Sequence, residues 1–256
     1  MLKKFNEEDF EVLKGPLESY RQSPQSLGGV LLLGVFLQVL LIYFEYDDCS
    51  STIFPNAIGI FNIHLWVSSI IIFFTIICAV PFIYQRWQKL QYFISILFSQ
   101  NFGAVSFAIS GLFLLGENPN ITTRSLLTFS YIVVITGVLI FLVSSIRFYI
   151  LLRKGAFRKG TTRDNLRNHI ENIIKSHFGV ILIICGVLGY MAQFLFKSHS
   201  EDTFMILLVF LIYFTMMFVL PEQLVILYCK YRFKSFNFDS HGNLYSSSND
   251  EKRSEN

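Results

Sequence analysis

The stretch LLTFSYIVVITGVLIFLVSSI, residues 126–146, contains no charged side chain and decides the fold. Wound as a helix at about 1.5 Å per residue, a run of this length spans the roughly 30 Å hydrocarbon core of a bilayer. It shows no alternation of period two, which a membrane barrel strand would need. Backbone groups in lipid must be satisfied within the segment, so the run is a helix.

Working outward, further runs of the same kind cover Ser26 to Phe44, about Ile58 to Tyr84, and Tyr92 to Leu115. After residue 146 come Phe178 to Phe196 and a run from Phe204 toward Cys229. The reading is all-α: a polytopic membrane protein, a bundle of six transmembrane helices with an amphipathic cytoplasmic helix between spans four and five. Composition agrees, because only 15% of residues are charged, against about 25% in soluble domains. Three regions follow: a cytoplasmic tail with a short helix (1–24), the membrane domain (25–232) and a disordered cytoplasmic tail (233–256). No signal-peptide pattern precedes the first run, so the chain is expected to stay intact. The richness in Ile, Phe, Asn, Lys and Ser fits a low-GC bacterium.

Basic residues set the orientation. Nineteen of the 21 Lys and Arg fall in the tails, the loop after span two and the loop 147–177, leaving Arg124 and Lys197 on the other side. The basic side is cytoplasmic, which places the protein in the cell membrane with both termini inside. The opposite loops are short and mildly acidic, with Glu45, Asp47, Asp48, Glu117, Glu201 and Asp202.

Two cytoplasmic pieces read as helical. Asn6 caps a turn bearing Glu7, Glu8 and Asp9, followed by Phe10, Leu13 and Leu17 at helical spacing. In the large inner loop Leu166, Ile170, Ile173 and Ile174 form an apolar face flanked by Arg163, Arg167 and Lys175. Such a helix lies flat on the inner leaflet, and its basic residues contact lipid head groups.

Within the spans, Glu222 stands out, between Pro221 and Gln223. An intramembrane carboxylate is costly and faces a partner or a water path. Its depth places it near the cytoplasmic interface, where pairing with Lys230 or Arg232 competes with a proton or cation relay. The third span carries Ser99, Gly103, Ser106 and Ser110 on one strip, and the fifth carries Cys185, Gly186, Gly189 and Gln193. Small residues at this spacing suit close helix packing, with a hydrophilic path as the competing use. Gln38 is a lone amide, read as glue between helices, and His64 near Trp66 is read as interfacial.

No spacing of His, Cys, Asp or Glu matches a metal site, and no nucleophile elbow or phosphate-binding loop occurs. No cofactor is expected, and the basic loop lacks the interleaved aromatics of a nucleic-acid surface. The expected partners are the lipid bilayer and another membrane protein, or a second copy. The favoured function is non-enzymatic, through helix contacts with a partner, as an accessory subunit of a secretion or export system or a toxin-immunity protein. The alternative is a transporter or permease subunit using a polar path near Glu222 and the third span.

Overall fold

A computed structural model describes residues 2–162, 165, 166, 201–239 and 241–246. Every named element among them is helical. In chain order these are α1 (Gly15–Glu18), α2 (Pro24–Ser51), α3 (Ala57–Ala79), α4 (Pro81–Arg86), α5 (Gln88–Gln100), α6 (Phe107–Gly116), α7 (Thr123–Arg153) and α8 (Glu201–Arg232). A π-helical segment, Asn101–Ser106, joins α5 to α6, so that Gln88–Gly116 forms one span. Five helices are long and apolar enough to cross a membrane. The fifth apolar run (178–196), with Gly186, Gly189 and Gln193, and the basic helix bearing Arg163, Arg167 and Lys175 lie outside the described residues.

Local chemistry sets the boundaries. Ser23 accepts the backbone N–H of Ser26, and Pro24 follows at the first helical position, where its missing donor costs nothing. Thr122 caps α7 in the same way through Ser125. Pro81 interrupts the second span, because the residue before a proline is held extended, and Val80 has ψ 130°. The helix expected to reach Tyr84 therefore ends at Ala79, and α4 restarts beyond it. At the other end of the first span the difference runs the opposite way. α2 continues almost two turns past Phe44, bringing Glu45, Asp47 and Asp48 onto a helix where the sequence suggested a loop. Asn56, in the left-handed region at φ 57°, turns the chain back into α3.

The third span is the centre of the bundle. It packs on α2 and α3 through one side and on α8 through another, while α7 packs on α8. It is also the most buried of the five spans. The others turn broad apolar faces outward, such as Phe36, Trp66 and Tyr131, as lipid contact requires.

At one end of the bundle the two chain termini fold together. Glu7–Lys14 is a 3-10 helix, tighter than the expected α-turn, and Asn6 N–H donates to Asp9 Oδ2. With α1 it buries Phe10, Leu13 and Leu17 in one core with Tyr92, Leu152, Phe157 and Cys229. Residues 233–239, assigned from composition to a disordered tail, pack into the same core, with Phe236 and Phe238 buried. Their fixation is polar as well as apolar: Gln88 Nε2 donates to Phe238 O at 2.8 Å, and Phe238 N–H donates to Gln88 Oε1 at 2.9 Å. Lys230 is buried under Tyr92 and Phe238, and its Nζ donates to Phe236 O. Arg232 donates to Leu2 O and Lys3 O, closing one terminus on the other.

Because Phe236 is wholly buried, Phe236→Ala is expected to cost about 3 kcal/mol. Phe36→Ala, at a lipid-facing position 67% exposed, should leave stability nearly unchanged. Thermal unfolding of the purified variants in one detergent measures both.

Candidate functional site

Six polar side chains from α2, α3 and the third span meet inside the bundle, each between 0 and 4% exposed: Gln38, Glu45, His64, Ser68, Asn101 and Ser106. Helical register brings them together. Gln38 and Glu45 stand seven residues apart and share a face of α2, and His64 and Ser68 stand four apart and share one of α3. Asn101 and Ser106 are five apart, a spacing that an α-helix would splay. The π turn that they bound lets both reach the same neighbours.

The contacts form a closed circuit with one branch. His64 Nδ1 lies 2.6 Å from Glu45 Oε2 and donates to it. Its Nε2 faces Ser68 Oγ at 3.1 Å and Ser106 Oγ at 3.4 Å. Asn101 Nδ2 donates to Ser68 Oγ at 2.9 Å and to Gln38 Oε1 at 3.3 Å, and Gln38 Nε2 donates to Ser106 Oγ at 2.8 Å. Each serine oxygen thus receives an amide hydrogen and keeps its own for the imidazole. A neutral His64 with its proton on Nδ1 offers a single lone pair at Nε2, so the two hydroxyls compete for it. Glu45 Oε1 is buried without a hydrogen-bond partner.

Depth distinguishes this cluster. Counted from the helix ends opposite the termini, Glu45 and His64 lie about 10 Å in, Ser68 and Ser106 about 15 Å, and Asn101 and Gln38 about 20 Å. The circuit therefore runs from the third of the spans farthest from the termini, where Glu45 and His64 lie, toward their middle at Gln38 and Asn101. On α2 one turn beyond Glu45, Asp48 is half-buried and feels the charges of Glu117, Asp47 and Glu45, which makes the approach acidic.

The carboxylate–imidazole–hydroxyl order matches the arrangement by which hydrolases activate a serine. Here both hydroxyls are fully buried and already accept amide hydrogens. What the arrangement can do as it stands is hold and share a proton. Among the described residues no three His, Cys, Asp or Glu side chains gather to hold a metal.

The residues singled out in the sequence are distributed differently. Glu222 is half-buried beside a cavity of about 100 Å³ that also touches Arg147, Ser144 and Pro221. It makes no ion pair among the described residues, since Lys230 and Arg232 are engaged with Phe236, Leu2 and Lys3. Gln223 Oε1 accepts from Gln100 Nε2 at 3.3 Å. The strip of the third span does not stay on one face, because the π turn rotates it. Ser106 enters the circuit, Ser99 and Gly103 face a larger cavity beside α8, and the Ser110 hydroxyl is buried without a partner. Gln38 does join helices, as expected of a lone amide. His64 lies inside the bundle, 4% exposed and bonded to Glu45, which the sequence placed in a loop. The shared-face spacings in α2 and α3 were the available signal, and the premature end given to the first span hid it.

Comparison with models of known protein families, with characterised proteins and with solved structures finds no match for the chain.

Ser106→Ala leaves the Gln38 amide without its acceptor and should cost about 1–3 kcal/mol. His64→Leu leaves Glu45 alone in the bundle and should cost more, about 3–5 kcal/mol. In the double variant Glu45→Gln, His64→Leu much of that loss should return, because no buried charge remains. Detergent-phase unfolding of the three variants measures the difference.

Proposed function

We propose that the chain is a six-span protein of the cell membrane, both termini cytoplasmic, acting non-enzymatically as a proton-coupled transporter or transporter subunit. Glu45 and His64 are the groups that take up and release the proton. The observation that carries the reading is the buried Glu45–His64 pair, joined toward mid-span to hydroxyl and amide side chains from three helices. Chains of Glu, His and hydroxyl groups buried within spans are the means by which pumps and transporters pass protons. With one proton more than the neutral ring carries, the pair has no net charge, whether that proton sits on the carboxyl or makes the ring an imidazolium. Gain or loss of a proton leaves a net charge in an apolar bundle, which favours a different packing of α2, α3 and the third span.

The six-span count is supported by chain direction. α7 and α8 run parallel: Phe129 meets Phe210 near their starts, and Leu152 and Cys229 share the terminal core near their ends. Parallel neighbours need a connection that returns across the bundle, and the run from Phe178 to Phe196 has the length to supply it. The cytoplasmic assignment of the terminal end rests on the 19 to 2 division of basic residues.

The test is difference infrared spectroscopy of the purified chain in lipid as the pH is stepped across the physiological range. The expected result is a buried carboxylic-acid band that appears and disappears with pH, and that Glu45→Gln removes. A wild-type chain with no such band would overturn the reading. The circuit would then be a packing device, and the function would lie in helix contacts with a partner, as in an accessory or immunity protein. Purification from native membranes in mild detergent would in that case bring a stoichiometric partner along.

A further inference from the structure

We infer that a second site lies on the other side of the π turn, where an uncharged, amphipathic small molecule binds and is coupled through Asn101–Ser106 to the buried polar circuit. This rests on the proton-coupled reading for its mechanism, though not for the binding itself. A cavity of about 490 Å³ opens between α2, the third span and α8, on the half of the bundle nearer the termini. That volume lies within the range of small-molecule sites. Its walls are Leu, Ile, Val, Phe and Met side chains, and no lining residue carries a charge. Without a countercharge an ionised ligand would be desolvated at a large cost, so the occupant is neutral. The polar lining is concentrated toward the termini, in Gln22, Tyr92, Ser95, Ser99 and Gln223. The ligand is thus a molecule with an apolar body and an uncharged polar group at one end.

The coupling follows from what the π segment touches. It gives Asn101 and Ser106 to the circuit, and Phe102 and Gly103 to the cavity wall. Gly103 lies under Met216 of α8, and a methyl group in its place would meet the Met216 side chain at 2.9 Å. Gln100, the residue before the segment, donates to Met216 O and to Gln223 on α8. A shift of the π turn that follows proton gain or loss at Glu45–His64 therefore moves the cavity wall directly. The register of a π turn is a poorly stabilised state of a helix, suited to such a change.

The experiment uses the full chain in lipid nanodiscs with the neutral fluorescent amine N-phenylnaphthylamine as probe, and empty nanodiscs as the baseline. Saturable binding above the baseline is expected, with an affinity that changes with pH in wild type and stays constant in Glu45→Gln. Anilinonaphthalene sulfonate, a charged analogue, should bind no better than to empty discs. Val30→Trp, at a wall position 60% exposed, and Ser99→Phe each fill the cavity and should weaken the probe by about tenfold or more. Absence of saturable binding, or binding untouched by both variants, would overturn the site, whatever the infrared result. Binding that the variants abolish but that ignores pH would overturn the coupling while leaving the site in place.

Discussion

The hydrogen bond between His64 Nδ1 and Glu45 Oε2 constrains the bundle more than any other contact. A carboxylate and an imidazole both taken out of water must meet, because either one alone would be left with an uncompensated desolvation cost of several kcal/mol. Meeting requires α2 to persist beyond the apolar run, the chain to reverse at Asn56 and α3 to return in one register. The remaining polar groups then have little freedom. His64 Nε2 needs a donor, the serines that supply it need donors of their own, and Asn101 and Gln38 provide them. Packing of the third span against α2 and α3 is thus specified by polar pairing, whereas its contact with α8 is mainly apolar, with Gln100 as its polar anchor.

The π turn reconciles two demands on one helix. The third span must present amide and hydroxyl groups to α2 and α3, and small residues to α8. An uninterrupted α-helix would align Ser99, Gly103, Ser106 and Ser110 on one side. One extra residue in the turn divides them, sending Ser106 into the circuit and leaving Ser99 and Gly103 toward α8. The same residue makes the segment the mechanical link between the polar interior and the apolar cavity.

The terminal end is stabilised by a different principle. Outside the spans the hydrophobic effect operates in the ordinary way, and Phe10, Leu13, Phe236 and Phe238 gather into a small core. Lys230 is tolerated inside it because a carbonyl accepts from its Nζ and two aromatic rings face it. The composition of 233–256, rich in Ser, Asn and charge, concealed this core, since its first residues carry all three phenylalanines and the rest dominate the average.

The sequence by itself determined the class of protein: uncharged runs of bilayer length admit one secondary structure in lipid, and the basic residues divide the loops into two sets. It also marked Gln38, Ser106 and Gln223 as polar groups in need of partners. Only the tertiary structure decided which partners they have. Glu45 follows the apolar run by one residue and reads as a loop acid until α2 is seen to continue, and His64 beside Trp66 reads as interfacial until its neighbour is in view. Hydropathy is a property of a segment and can be read along the chain. A buried hydrogen bond is a property of two segments in a fixed register, and no local pattern records the register between helices.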